Sequence, residues 1–459
     1  MLAFVKKPFR INAIKKTVKY GAFDIQPTVE DGTLFASESR YCDCSGGVLK
    51  SGLGLEPKLT EEENAFWVNP ELDLPKQFFV LPFLDENGLG AEELGYVTEA
   101  GEVYIFSENM RLFIKAAALG GRVTTVLAYD NNQGISILFF GEKGAFRYAK
   151  GEMVTPIVYD IFLPIACALE GRVFAAQKGG VIVYFSPYYF KSFTRDIDGA
   201  GRVRMPEEAG EIVGLVALDG YAYAFCEFGI FRLEVRGSAR DFVIQRIAYQ
   251  GGRIFEGSVC VSAEDGKKIF FLTENGVCRL LGESVKTLGL PAGLTEKSTG
   301  QVCDQAMVDG KYYCSFLDMD GEKKAVIVDA KTEKAYQGFV AQAITSVRGG
   351  TLCLADEIVQ YVRSVGVLPS GEAYSFIVKD VDFNEVGAKT LKTLKLVGEG
   401  GLTLEVDNGH EMKRFSARFV NGRWAMNVRL KGERFTLKFK LAFGTAIKEL
   451  RAEIAMIGR

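Results

Sequence analysis

A chain of 459 residues with 48% apolar side chains is long enough for one large repeat fold plus an extra unit, and apolar enough to bury a substantial core. Its formal charge of −3 excludes a global polyanion binder, and no run of about eighteen apolar residues occurs, which excludes a membrane-spanning helix. The nine cysteines are odd in number and scattered singly in apolar stretches, so they read as small core hydrophobes of a chain assembled in a reducing compartment, not as a disulfide framework.

Residues 1–23 hold Lys6, Lys7, Arg10, Lys15, Lys16 and Lys19 and no acid. The stretch lacks the apolar segment and small-residue cleavage site of a secretory signal and is expected not to be one. Apolar residues, among them Phe4, Phe9 and Ile11, interleave with the cations. That mixture suits docking on another subunit better than a solvated, disordered arm. The residues predicted to make subunit contacts are Phe4, Lys6, Lys7, Phe9, Arg10, Lys15 and Lys16. Region 56–102 is acidic and is a receiver for such an arm, since complementary charge sets register. Residues 1–76 as a whole read as an arm followed by a polar, Gly-rich segment that packs along the next domain.

From Gln77 a pattern of short apolar runs takes over. In "GLVALDGYAYAFCEFGIFRLEV" (214–235), the run Leu215–Leu218 meets Asp219-Gly220, Tyr221–Cys226 follows, and Gly229 opens a third run, Ile230–Val235; Phe242–Ile247 makes a fourth. Asp-Gly supplies the positive φ angles of a two-residue hairpin turn, and β-branched and aromatic side chains favour strands. Each unit is therefore one four-stranded antiparallel sheet. Further copies occupy 126–158, 166–193, 258–290, 305–339 and 343–364, and a weaker one starts at Gln77. The glycine before the third strand keeps phase at Gly144, Gly180, Gly229, Gly276 and Gly321, in steps of 36, 49, 47 and 45 residues. Four strands per repeat of about 40–50 residues predict a β-propeller of six or seven blades over 77–380. The copy at 343–364 lacks a fourth strand, and "EAYSFIVKD" (372–380) is assigned to supply it. The competing arrangement is a stack of sandwiches without circular closure.

After Asp380 the texture changes to about seven strands of even length. "RFTLKFKL" alternates Phe435, Leu437 and Phe439 against Thr436, Lys438 and Lys440, the mark of a half-solvated sheet. Residues 381–459 are thus expected to form a small β-sandwich, so the fold class is all-β.

Catalytic chemistry finds little footing. The one histidine, His410, follows Asn408-Gly409 in an expected exposed turn, away from any channel. Cys42-Asp43-Cys44 has no second close pair with which to complete a zinc site. "DMDGEKK" (318–324) and "DVDFNEVG" (380–387) resemble calcium loops but lack ligands, and are expected to be hairpin turns. Paired carboxylates could cleave a glycoside, yet only Trp67 and Trp424 exist as sugar platforms and the Asp-box is absent. No nucleotide-binding glycine motif occurs. No enzyme activity, metal or cofactor is expected.

Two stretches carry a resemblance. "YCDCSGGVLKSGLGL" (41–55) is similar to the N-terminal segment of phage-type proteins of low-GC bacteria. "YSFIVKDVDFNEVGAKTLKTLKLVGEGGLTLEV" (374–406) resembles the exit from the propeller into a small sandwich in phage virion proteins. The order of segment, propeller and sandwich resembles that of tail-nozzle and head-stabilisation proteins. The resemblance implies a structural subunit of a phage or prophage-derived particle, assembled in the host bacterial cytoplasm. Its partners would be other virion subunits in a homo-oligomeric ring, with no membrane, and nucleic acid only if it lines a DNA channel. The alternatives are a polysaccharide-binding or -degrading propeller on a phage tail, and a bacterial scaffold or adhesin unrelated to phage.

Overall fold

A computed structural model describes residues 15–25, 32–55, 74–84, 90–107, 109–110, 112–131, 134–149, 152–157, 163–186, 199–235, 242–262, 267–291, 294, 298–347, 350–355, 358–363, 368 and 372–456. The chain divides into two compact units, 53–290 with 295–370, and 1–52 with 291–294 and 371–459.

The first unit is a propeller of seven four-stranded antiparallel blades. Blade 1 runs Pro75–Leu84, Gly90–Thr98, Glu102–Ser107 and Leu112–Ala118, so the weakest sequence copy is a true blade. Blade 2 runs Val123–Asn131, Gly134–Gly141, Gly144–Ala149 and Glu152–Ile157. Blade 3 comprises Ile165–Leu169, Arg172–Ala176, Ile182–Phe185 and Gly201–Arg204. Blade 4 comprises Ile212–Leu218, Tyr221–Cys226, Gly229–Val235 and Phe242–Ile247. Blade 5 is Cys260–Ser262, Lys268–Thr273, Gly276–Leu281 and Ser284–Gly289, and blade 6 is Ser298–Val308, Lys311–Asp318, Lys323–Asp329 and Ala335–Gly338. Turns between first and second strands use the expected geometry: Asp219 and Gly220 sit at φ 54° and 76°, Asp309 and Gly310 at 46° and 72°.

Blade 7 holds the main correction. Its first three strands are Ala343–Val347, Gly350–Ala355 and Ile358–Arg363, but its fourth is Gly54–Leu55, from before blade 1. The assigned stretch 372–380 lies instead in the sandwich. There the buried face of Tyr374–Val381, carrying Tyr374, Phe376 and Val378, registers against Leu441, Phe439 and Leu437. The domain boundary therefore falls near residue 371 and not at 381. Borrowing a strand from the N-terminal side lets hydrogen bonds close the ring, which removes a free sheet edge at the joint. Closure is complete at the centre, where the first strands of successive blades contact one another in a cycle that returns from blade 7 to blade 1. Between blades 7 and 1 a buried cluster joins Ala343 and Leu354 to Phe78, Tyr96, Tyr104 and Phe113. Equivalent clusters fill the gaps between blades 1 and 2, 2 and 3, 3 and 4, and 4 and 5.

The second unit is a sandwich built from both ends of the chain. Its strands are β1 (Lys15–Tyr20), β2 (Glu38–Arg40), β3 (Cys42–Asp43), β4 (Leu49–Ser51), β5 (Tyr374–Val381), β6 (Lys389–Glu399), β7 (Gly401–Asp407), β8 (Met412–Arg418), β9 (Arg423–Gly432), β10 (Phe435–Leu441) and β11 (Ala446–Met456). One sheet has the order β9-β6-β11-β4-β3, with β1 also pairing β11; the other is β8-β7-β10-β5-β2. A short parallel pair, Ala22–Asp24 with Thr33–Phe35, completes it. Of the segment 1–76, the described residues 15–51 thus belong to the sandwich unit and Gly54–Leu55 to blade 7. Strand β10 keeps the predicted alternation, with Phe435, Leu437, Phe439 and Leu441 buried. Phe23, Phe376 and Phe439 meet edge to face at centroid distances of 5.9–6.4 Å, tying the N-terminal segment into this core.

Candidate functional site

Five of the seven predicted arm contacts, Phe4, Lys6, Lys7, Phe9 and Arg10, lie outside the described residues. Lys15 and Lys16 fall on β1, whose whole length pairs with β11. Lys16 Nζ lies 2.5 Å from Glu385 and Lys19 Nζ 2.8 Å from Glu449, so this end of the arm is held by its own sandwich. Residues 56–73 and 85–89 of the acidic receiver are also outside the described residues.

The first strands of blades 1–4 and 6, with Glu256–Val259 leading into blade 5, line a cavity of about 680 Å3. Val126, Ile165, Val213, Leu215, Val259 and Val302 give it an apolar wall. One mouth carries compensated charge: Lys178 pairs with Glu256 at 3.1 Å, and Arg122 with Glu99 at 2.8 Å. Glu142, Glu256 and Asp304 are the carboxylates that line it. Asp304 accepts the backbone N–H of its neighbour Gln305 through one oxygen and that of Ile344 in blade 7 through the other, each at 2.8 Å. Burial pushes its carboxyl up to about 7, although both backbone hydrogen bonds oppose the rise. Its role is to join blade 6 to blade 7. The two-carboxylate mechanism requires one group free to protonate and a second free to attack or activate water. With Asp304 and Glu256 engaged, Glu142 is left as the lining carboxylate without an ion pair to a described residue.

The remaining candidates sit in structural roles. His410 is exposed in a turn where its N–H and that of Glu411 bond Asn408 Oδ1. All nine cysteines are free. Burial pushes the Cys260 and Cys314 thiols up to about 12, which leaves them unreactive; Cys303 is exposed on the cavity wall. Asp318 caps its turn by accepting the N–H groups of Asp320 and Glu322 at 3.0 and 2.8 Å, the hairpin foreseen for "DMDGEKK". "DVDFNEVG" is not a hairpin: it carries the chain from β5 in one sheet to β6 in the other, with Asp380, Phe383 and Asn384 at positive φ. Among the described residues no three His, Cys, Asp or Glu side chains gather as a metal site, and no helix is long and apolar enough to cross a membrane.

The uneven charge along the sequence, basic over its last fifty residues and acidic over 56–102, follows the division into two units. The sandwich unit carries 24 Lys and Arg against 16 Asp and Glu, the propeller unit 31 against 42, for formal charges of +8 and −11. The signal was the acid-free composition of "MKRFSAR" and "RWAMNVRLKG", now seen as β8 and β9 at the edges of their sheets.

No family model matches the chain, and no curated protein matches it. Solved structures similar to it include BBS1N in complex with ARL6DN, at 15% identity over 58% of this chain and 81% of that one, with a TM-score of 0.39. U3-55K matches at 7% identity over 66% of this chain and 90% of that one, with a TM-score of 0.41. PorZ, a surface component of the type-IX secretion system of Porphyromonas gingivalis, matches at 9% identity over 82% and 61% of the two chains, with a TM-score of 0.40. The propeller assignment rests on the strand pairing and the closed ring, independently of these likenesses.

Proposed function

We propose that this chain is a structural subunit of a phage or prophage-derived particle that acts by docking to other subunits and to copies of itself, without catalysis. The observation that carries the docking part is the charge segregation: a soluble monomer gains nothing from +8 on one unit and −11 on another, whereas complementary faces set the register of an assembly. The cavity adds support, because two of its three carboxylates are held in structural contacts. The particle itself rests on the resemblance of the chain's layout to virion proteins.

The test is fractionation of induced lysates of the source bacterium on a density gradient, with the protein followed by antibody. Co-sedimentation with particles, and its location there by immuno-electron microscopy, is the expected result. Protein found only in the soluble fraction would overturn the particle reading. Release of new reducing ends from envelope polysaccharide, abolished by Glu142→Gln, would overturn the absence of catalysis.

A further inference from the structure

Strands β8 and β9 are the outermost strands of the two sandwich sheets on the same side, joined by the short turn 419–422. Together they carry Lys413, Arg414, Arg418, Arg423, Arg429 and Lys431 and no acid. Lys413 is engaged, donating to Val428 O at 3.0 Å and Arg429 O at 3.4 Å, and Arg414 reaches Glu405 at 3.8 Å. The other four are exposed and make no ion pair to a described residue. A sheet edge normally carries charge to repel other edges, but four uncompensated cations of one sign exceed that need and attract an anionic surface.

Such a surface exists on the propeller unit. The turn after the first strand of a blade lies at one mouth of the channel, because first strands line it. Glu170, Asp219 and Asp309 occupy these turns in blades 3, 4 and 6, Asp130 lies at the same end of the first strand of blade 2, and all four are exposed. Neighbouring turns adjoin: Lys267 of blade 5 pairs with Asp219 of blade 4, and a Cβ on Gly220 would lie 3.6 Å from Glu170 Oε1. Glu170 and Asp219 are thus side by side at this mouth, with Asp219 shared with Lys267, and Asp130 and Asp309 stand at the same end of blades 2 and 6.

We infer that the β8–β9 edge of one copy docks on the acidic channel mouth of a second copy. The occupant is a second copy because one chain carries both surfaces, and their charges match. The contact joins two different patches, so it is heterologous: it closes a ring where the rotation allows and otherwise propagates. This names the self-contact of the docking reading and rests on it.

The experiment is sedimentation velocity of the full chain at low salt and at about 1 M salt, where the screening length falls to about 3 Å. Self-association at low salt and its loss at high salt are expected. Arg418→Glu with Arg423→Glu and Lys431→Glu should weaken association at least about a hundredfold. So should Asp130→Lys with Glu170→Lys, Asp219→Asn and Asp309→Asn, where asparagine keeps the positive φ of the two turns. A chain carrying both sets should recover it, which loss of folding cannot mimic. Circular dichroism checks each fold, and glutamine at the three basic positions is the milder second variant. A wild-type chain that stays monomeric at low salt, or a reversed edge that associates like wild type, overturns the contact. Monomers that still enter particles would remove this contact and leave the structural-subunit reading standing. Association that obeys the charge swap in a protein absent from particles would do the reverse.

Discussion

The propeller and the sandwich solve the same problem, covering sheet faces, in opposite ways. The propeller is made of local hairpins: within six of its blades each strand pairs with the next in sequence, and long-range order enters mainly where blades stack. The sandwich is made of remote pairings, with Arg40 opposite Ser375 and Leu49 opposite Ile447. The difference predicts where each is vulnerable. A propeller is a sum of repeated blade-to-blade interfaces plus one closure, whereas the sandwich needs both chain ends together and carries the greater loop-closure entropy.

The largest effect should come from emptying a blade interface. Phe271 is fully buried between blades 4 and 5, with its ring 5.2 Å from that of Phe225. Phe271→Ala is expected to cost about 3–5 kcal/mol. Hydrogen exchange should show the loss in blades 4 and 5, while in a Trp67→Phe background the fluorescence of Trp424, on β9, reports the sandwich. Closure comes next. Leu55 is buried and pairs with Val362, so Leu55→Ala should cost about 2–4 kcal/mol. It should raise exchange chiefly at Ile358–Arg363 and leave the sandwich unchanged. Equal loss of protection in both units would break the contrast between local and remote construction.

What was legible in the sequence follows the same division. Asp219-Gly220, Asp309-Gly310 and the glycine at Gly229 encode turns by local backbone preference, so six blades could be read within a few residues. The closing strand could not, because Gly54–Leu55 is two residues long and its partner lies over 300 positions away. Tyr374–Val381 was misassigned because an alternating strand fits any half-buried sheet; only the packing of Phe376 on Phe23 and Phe439 decides which. Blade 3's fourth strand, Gly201–Arg204, escaped because it lies beyond the copy read at 166–193. The basic edge was visible as composition, but composition does not tell that β8 and β9 are both edge strands.

Acid and base should separate two joints of the propeller. Glu333 lies in the turn after the third strand of blade 6 and takes Arg279 at 2.9 Å and Lys286 at 2.7 Å from blade 5. Partial burial alone would raise its carboxyl, but the hydrogen bonds from Lys286 and Arg279 prevail and hold it down to about 2. A depressed carboxylate stabilises above its unfolded value, and that stabilisation, about 2 kcal/mol, disappears as pH falls from about 4.5 to about 2. Asp304 has the opposite sign. With its carboxyl raised to about 7, the neutral form favours folding, and this contribution is lost as pH rises from about 4 through 7. From these two groups alone, melting temperature should therefore peak near pH 4, where the rising and falling contributions cross. Glu333→Gln should flatten the acid limb, and Asp304→Asn the limb between pH 4 and 7, each measured by thermal unfolding against pH. An unchanged acid limb in Glu333→Gln would show that blades 5 and 6 are not joined through this carboxylate.

The smallest effect is the one that sharpens the docking question. Lys16 and Lys19 belong to the basic arm expected to reach another subunit, yet both are half-exposed on β1 and pair with Glu385 and Glu449 of their own sandwich. Exposed ion pairs are worth about 0.2–1 kcal/mol, because water screens them and two long side chains must be ordered. Lys16→Ala with Lys19→Ala should lower sandwich stability by no more than about 1 kcal/mol in denaturant titrations followed by Trp424 in the same Trp67→Phe background. That leaves two distinguishable outcomes for assembly. If particle incorporation falls severalfold while stability barely moves, the arm acts outside its own sandwich and these cations are part of the contact. If incorporation is unchanged, the charge that matters lies on β8 and β9, and the role of β1 is to pair with β11 and complete its sheet.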